Sequence, residues 1–551
     1  MNREDHIARL KRDDFDLLVI GGGATGTGIA LDAATRHLKV ALVERDDFAA
    51  GTSSRSTKLI HGGVRYLEQA VKRLDRGQFN LVRDALAERA TLVEIAPHLA
   101  QPLPIVTPLY NPLQVPYFTA GLKLYDLLAG RANLAPSRFI TAQEACDRVP
   151  LLNPKNLCGA VIYYDGQFDD ARMNVTLALT AAEEGAAIAN HVTVTGLQKD
   201  TTGRLCGATV RDNLTGDTWA IAAKVILNAT GPFCDAIRQL DDPTAAPVLR
   251  MSSGVHIVLD GKFAPPATGL LIPETEDGRL LFLLPWRDRV LAGTTDNPAE
   301  LTDHPQATEG EIEYILRHLR RYFALPVDRS DVLASWAGLR PLVADPKAAD
   351  TAKLSRDHVI NRSASGLLTI TGGKWTTYRK MAADAVKVAI AEGGFNPDRA
   401  SQTAHLKLVG AKAYSPADAA HLQSQLQTTY GLDAATAHHL KRAYGDRAIV
   451  VAQIAQGGYG AKLAPQFTYL EAEVIYAVRH EAACTPMDVL ARRTRLGFLD
   501  TAATIAALPR VVDLMGDELH WSSRDRHAHT EAAIAYFQAT PPLPEPVPQG
   551  S

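Results

Sequence analysis

This chain has no apolar run of the roughly eighteen residues that a membrane-spanning helix needs, so any contact with a bilayer is expected to be peripheral. Its N-terminus, MNREDHIARLKRDDFD, places acids where a secretory signal needs an apolar core. Cysteine is scarce. The five, Cys146, Cys158, Cys206, Cys234 and Cys484, are odd in number and show neither CxxC nor zinc spacing. A disulfide framework is thereby excluded, a reducing compartment is the natural setting, and no metal is expected. Neither sign of charge prevails, with a net charge of -3 at pH 7 and a pI near 6.6. Without a global basic field, nucleic acid is not an expected partner.

What the chain does have is core-forming material: 46% of its 551 residues are hydrophobic, enough for about three or four domains. The stretch FDLLVIGGGATGTGIALDAATRHLKVALVE, Phe15 to Glu44, organises the rest. An apolar strand breaks into Gly21, Gly23 and Gly26, a small-residue helix opens at Ala24 and Thr25, and a second strand, Val40 to Val43, ends on Glu44 and Arg45. Gly21 permits the tight turn, Gly23 lets backbone approach a pyrophosphate, and Gly26 lets the helix pack on the strands. Phosphate charge then meets free helix N–H groups, and Glu44 can accept hydrogen bonds from a ribose diol. A plain glycine turn is the bland alternative, but strand, helix, second strand and terminal acid are all present. His37 stands where glycine often closes such a helix, and histidine tolerates the left-handed conformation better than most residues.

The next stretch, GTSSRSTKLIHGGVRYLEQ, Gly51 to Gln69, crowds small hydroxyls, a lysine, a histidine and two glycines together. A flavin would use it. Thr52, Ser53, Ser54, Ser56 and Lys58 would meet its phosphates and sugar chain, and Leu59, His61, Gly62 and Gly63 its flat ring. A serine-rich surface loop is the alternative, which the apolar Leu59, Ile60 and Val64 oppose. A helix is expected over Gln78 to Ile95 and an extended, proline-rich run over Pro102 to Pro116. Tyr117 to Leu128, YFTAGLKLYDLL, reads first as a core helix and alternatively as a membrane-facing one.

The acidic start Asp169-Asp170 opens another helix, and the strand Lys224 to Asn228 ends in Ala229-Thr230-Gly231, which would approach the nucleotide from a second side. A β-rich region from Val248 to Leu342 looks like a sheet covering the substrate. Within it His256 is a candidate base, with a satisfied structural histidine the alternative, and Arg340, in Gly338-Leu339-Arg340-Pro341, is held between a glycine and a proline. In LLTITGGKWTTYRKMA, Gly373, Lys374, Thr376 and Thr377 form a second glycine turn into a helix, suited to negative charge or serving only as a capping turn. Strand signals nearly vanish after Asn396. There the run RRTR, Arg492 to Arg495, reads as a solvated face, with anionic-lipid or partner contact the alternative.

IGGGATGTGIA, GTSSRSTKLIHGGVRYLE, NATGP, SGVHIV, GTTD, GLRPL, GGKWTTYRKMA and LEAEVIYAVRHEAACTPMDVLARRTRLGF, in this order, resemble FAD-dependent glycerol-3-phosphate dehydrogenase. The resemblance covers about residues 13 to 538. It implies an α/β fold plus an all-α part: a Rossmann-like FAD-binding domain of the D-amino-acid-oxidase type (13–80, 155–235 and 335–395), a β-rich substrate domain (81–154 and 236–334), a C-terminal helical domain (400–539) and a disordered tail (540–551). It implies FAD as cofactor, oxidation of sn-glycerol 3-phosphate to dihydroxyacetone phosphate, and electron transfer to membrane quinone by a cytoplasmic enzyme attached to the inner face of the membrane. A homodimer is left open. The chemistry agrees: a phosphate monoester needs clustered cations, and Arg65, Arg340 and Lys374 come from three motifs flanking the expected flavin. Tyr66 would hydrogen-bond the substrate, and His256, with His61 as competitor, would take the hydroxyl proton. An oxidase that uses molecular oxygen and a non-catalytic flavin-binding redox sensor are the alternatives.

Overall fold

The apolar strand Phe15–Ile20, almost wholly buried, lies in the middle of a largely parallel sheet. Thr218–Asn228 and Leu368–Gly372 follow on one side, and Val40–Val43 and Ala187–Ala189 on the other, all parallel. The helix Ala24–Thr35 covers this sheet, packed between Asp170–Glu183 and Tyr378–Gly393. Its end is set by His37, which holds φ of 64°. These coordinates are a computed structural model that describes residues 1–538 except 65, 68–71, 73, 74, 264, 266, 274 and 344–357. Arg65 and the expected tail therefore lie outside the described residues.

A second, mostly antiparallel sheet is built on the long pairings Ala100–Leu109 with Gly159–Phe168 and Leu249–Asp260 with Val332–Val343. Two stretches assigned from sequence to the nucleotide-binding domain pair within this second sheet: Gly159–Phe168 and, from residue 335 on, the strand Val332–Val343. Both are long strands whose backbone partners lie in the substrate-side segments, a long-range pairing that local patterning does not encode. Leu59–Ile60 also joins this sheet, beside Gln167 and Gly166, so the expected flavin loop runs from one sheet to the other.

The helix Gln114–Ala129 packs one face on the core, as its composition suggests, and leaves another uncovered: Leu122, Tyr125 and Ala129 are buried, whereas Leu113 before it, Tyr117 and Leu127 are 81%, 50% and 75% exposed. From Ala419 to Gln538 the described chain is almost wholly helical, and its Phe467, Leu490 and Phe498 pack on Trp286, Leu291 and Trp336 of the second sheet.

The RRTR run is also not a solvated face. Arg492, Arg493 and Arg495 are buried and dock the helical part onto the nucleotide-binding part. Arg492 Nε donates to Asp47 Oδ2 at 2.7 Å and Arg493 Nη2 to Asp47 Oδ1 at 3.1 Å, while Arg495 Nη2 reaches Ser54 O at 2.6 Å and Asp170 at 3.5 Å. Nearby, His191, Cys484 and Asp488 are the group of metal-ligand type among the described residues. Asp488 accepts from His191 (2.9 Å), the Cys484 and Thr485 N–H groups, Thr485 Oγ1 and Arg492, so both of its oxygens serve docking. Removing one partner of a buried ion pair strands the other charge. Asp47→Ala is therefore expected to cost about 3–5 kcal/mol, read as a lower urea midpoint. A midpoint within error of the wild type would show that the network contributes nothing to docking.

Candidate active site

The carboxyl ends of Phe15–Ile20, Val40–Val43, Thr218–Asn228 and Leu368–Gly372 all open into one cleft of about 710 Å³ between the two sheets. Open α/β sheets bind ligands at this edge, where strands end and helices begin. Gly21, at φ of 108°, is needed twice here: for its conformation, and because a Cβ would meet Ala229 O at 2.8 Å. The two glycine-bearing strand ends thus touch back to back. Beside them Gly23 caps the helix with no side-chain hydrogen bond, and Ala24 N donates to Ser53 Oγ at 2.9 Å. Trp375 Nε1 holds Ser53 O at 2.8 Å, which joins the first glycine turn, the hydroxyl loop and the second glycine turn.

Gly21, Gly23, Ala24, Thr25, Glu44, Arg45, Thr52, Ser53, Ser56, Leu59, His61, Tyr66, Ala229, Thr230, Gly231, His256, Arg340, Gly373, Lys374 and Thr376 line this cleft. Six other candidates do not. Gly26 packs the helix against Gly21 O, where a side chain has no room. Gly62 faces Leu86 and the Tyr125 phenol, Gly63 faces the Tyr66 ring, and Thr377 is buried with its hydroxyl on Lys374 O. Ser54 is buried against the helical part through Arg495. Lys58 is fully buried, bound to Asp170 at 2.7 Å and to the Ser54 and Ser56 carbonyls, with its charge over the Trp336 ring. These residues shape the loop from behind because a hydroxyl-rich loop needs internal partners as much as a ligand does.

The charges divide by position. Glu44 accepts the N–H groups of Gly22 (2.6 Å) and Asp46 (2.9 Å), yet burial and the adjacent Asp46 push its pKa up to about 6. At the substrate end Lys374 sits 3.6 Å from the centre of the Tyr66 ring. Arg340 donates to Thr294 Oγ1 at 2.9 Å, Thr295 O at 3.1 Å, and Ser253 O and Asp296 at 3.2 Å, so its fork is fixed in one orientation. His256 Nε2 lies 3.0 Å from Thr57 Oγ1, its ring stacks on Trp336 at 4.3 Å, and its Nδ1 has no hydrogen-bond partner among the described residues. Burial, then Lys58 and Arg340, lowers its pKa well below the usual value; burial, then Lys374, brings His61 to about 3. Both imidazoles are neutral at pH 7 and able to accept a proton.

Sequence reasoning overlooked several residues of this site. Thr294, Thr295 and Asp296 lie in the motif GTTD but carried no assignment, although they aim Arg340. Arg279 and Phe282 line the cleft from the β-rich region expected to cover the substrate, but neither was singled out there. Tyr125, which looked like one more apolar-face residue, donates to Asp165 at 2.9 Å and accepts from Gly62 N at 2.7 Å. It holds the chain just after His61 from below.

Comparison with known proteins agrees with this geometry. The chain matches the profile of the FAD dependent oxidoreductase family over residues 16–379, and that of the C-terminal domain of alpha-glycerophosphate oxidase over residues 401–526. The fold and cleft define an FAD-dependent oxidoreductase. Relatives are more specific: a probable mitochondrial glycerol-3-phosphate dehydrogenase of Caenorhabditis elegans is 51% identical over 545 residues, 97% of this chain and 75% of that one. The Homo sapiens mitochondrial glycerol-3-phosphate dehydrogenase is 50% identical over 550 residues, 97% and 75% of the respective chains. A glycerol-3-phosphate dehydrogenase from Bacillus halodurans, solved with FAD, superposes with a TM-score of 0.80 at 30% identity and covers 99% of both chains. The chain belongs to the FAD-dependent glycerol-3-phosphate dehydrogenases.

The raised Glu44 carboxyl yields a pH dependence. Ionised Glu44 accepts from a ribose diol; protonated, it loses acceptor capacity. FAD affinity of the apoprotein is expected to be level above pH 6 and to fall as the pH drops through about 6. Fluorescence titration measures this, and Glu44→Gln should remove the dependence on that side of neutrality.

Proposed function

We propose that the cleft oxidises sn-glycerol 3-phosphate to dihydroxyacetone phosphate and that the electrons leave for a membrane quinone. The observation that carries this reading is the convergence of Arg340, Lys374 and a neutral His256 on one cleft beside the nucleotide edge. Arg340 and Lys374 hold the phosphate, the first as a fixed fork and the second as a point charge. Tyr66, whose ring carries Lys374, meets the glycerol backbone. Gly23, Ala24, Ser53 and Glu44 are placed to hold the pyrophosphate and ribose of FAD, and the volume and glycine-lined walls suit it. FAD, when bound, supplies the acceptor for the hydride that leaves the carbinol carbon. His256 takes the hydroxyl proton, with Thr57, another residue of the cleft wall, 3.0 Å from its Nε2. His61, beside Lys374, lies near enough to the same end to orient the substrate.

Membrane attachment rests on a different part of the surface. No helix among the described residues is long and apolar enough to cross a bilayer. The helix Gln114–Ala129 instead turns Tyr117 and Leu127 outward beside Leu113, and Lys72 lies over the Tyr117 ring at 5.8 Å. An apolar row with an interfacial aromatic and a cation suits a helix lying in the headgroup plane. The triple variant Leu113→Glu, Tyr117→Glu, Leu127→Glu should release the protein from anionic vesicles in flotation while the detergent-assayed turnover persists. Unchanged flotation would refute this face.

The reaction is tested by mixing holoprotein anaerobically with sn-glycerol 3-phosphate and following visible flavin absorption. Bleaching reversed by a quinone analogue supports the dehydrogenase; fast reversal by oxygen with peroxide would make it an oxidase, and no bleaching would overturn the substrate assignment. Lys374→Met should raise KM by about 10- to 100-fold, the loss of a charged contact. His256→Asn should lower kcat by about 10²- to 10⁴-fold. Full turnover in that variant would remove His256 as the base.

A further inference from the structure

His256 can exchange a proton with the cleft through only one of its two ring nitrogens. The residue is 2% exposed, and its ring stacks on Trp336 at 4.3 Å. At the Cδ2 edge the backbone of Gly293, its partner on the neighbouring strand, comes so close that a Cβ there would meet Cδ2 at 2.5 Å. Nδ1 is buried with no partner among the described residues. Nε2 lies 3.0 Å from Thr57 Oγ1, the ring's one hydrogen-bond partner among them. A substrate hydroxyl therefore finds Nδ1 out of reach and Nε2 already bonded.

Thr57 stands on the path between them. It is half-buried and lines the cleft. Its two neighbours in the chain are tied to one carboxylate oxygen, Asp170 Oδ2, by Ser56 N and Oγ at 3.0 and 2.8 Å and by Lys58 Nζ at 2.7 Å, so its backbone is held from behind. A hydroxyl carries one donor and two acceptor lone pairs, and it can accept from one partner while it donates to another. On the reading that His256 is the base, we propose that Thr57 is a further catalytic residue, which relays the proton of the substrate's secondary hydroxyl to His256 Nε2. The substrate O–H bond breaks toward Thr57 Oγ1 as Oγ1 passes its own hydrogen to Nε2, with the neutral ring's other hydrogen on Nδ1. The electron pair of the carbinol C–H bond leaves with the hydride, which the flavin of the oxidoreductase accepts, and a C=O bond forms. Thr57 receives one proton as it gives up another, so no alkoxide of threonine is formed and the positive charge appears on the imidazole. The proton returns to solvent through the same hydroxyl after the product has left.

Single-turnover bleaching of the holoenzyme's flavin by sn-glycerol 3-phosphate tests the relay, because it contains the proton transfer and leaves out the electron acceptor. In the wild type, two protons in flight make the bleaching rate a curved function of the deuterium fraction of the solvent. A single proton passed straight to the imidazole makes it linear, and a linear dependence, or none, overturns the relay. Thr57→Val, which keeps the shape and removes the hydroxyl, should slow bleaching by about 10²-fold or more, with little change in the half-saturating substrate concentration. Thr57→Ser, which restores the hydroxyl, should recover most of the rate; a Thr57→Ser as slow as Thr57→Val would make the threonine a support for the ring and count against the relay. Wild-type bleaching in Thr57→Val, with His256→Asn slow, rejects the relay and leaves the base in place. Wild-type bleaching in His256→Asn removes the base and the relay with it.

Discussion

The carboxylate of Asp170 is the point on which the rest of the structure turns. It is fully buried, and a buried carboxylate is tolerable only when its lone pairs are filled. Ser56 N and Oγ and Lys58 Nζ fill one oxygen at 3.0, 2.8 and 2.7 Å; Ala171 N and the more distant Arg495 face the other. One side chain thereby ties the hydroxyl loop, the helix Asp170–Glu183 and the C-terminal helical part together. Since Ser56 and Thr57 flank the substrate end of the cleft, the loop's shape depends on a charge balance made behind it rather than on the ligand in front. Arg495 is the costly member. Burial lowers its pKa, Asp170 and Asp169 counter that, and Trp286 and Phe498 flank its guanidinium.

This arrangement explains what was legible in the sequence. The nucleotide edge was readable because its requirements are local: a glycine that must hold positive φ, a helix that must start there, an acid at the end of the next strand. Arg340, Lys374 and His256, singled out because each sits in a short motif with few structural uses, do line one cleft. The RRTR run was not, because solvation and burial look alike when partners such as Asp47 and Asp170 lie hundreds of residues away. Lys58 and Ser54 failed for a related reason. A polar loop presents one face to a ligand and one to its own support, and alternation along Gly51 to Ile60 is too irregular to separate them. The helix Gln114–Ala129 was legible on the face that it buries, since apolar composition calls for cover without saying what covers the other face.

The low basicity of the two imidazoles has a consequence for selectivity. The nearby cations, Lys58 and Arg340 for His256 and Lys374 for His61, add to burial and hold both rings neutral but weakly basic. A bound phosphate dianion offsets Arg340 and Lys374, so it removes part of the potential that opposes protonation. On the reading that His256 is the base, the group which anchors the substrate also strengthens the base that acts on it. An alcohol without the phosphate, such as glycerol, would lose more than its anchor. It would meet a histidine still depressed by unneutralised cations, and the loss would appear in kcat as well as in KM, because remote binding energy is here converted into basicity at the reacting hydroxyl.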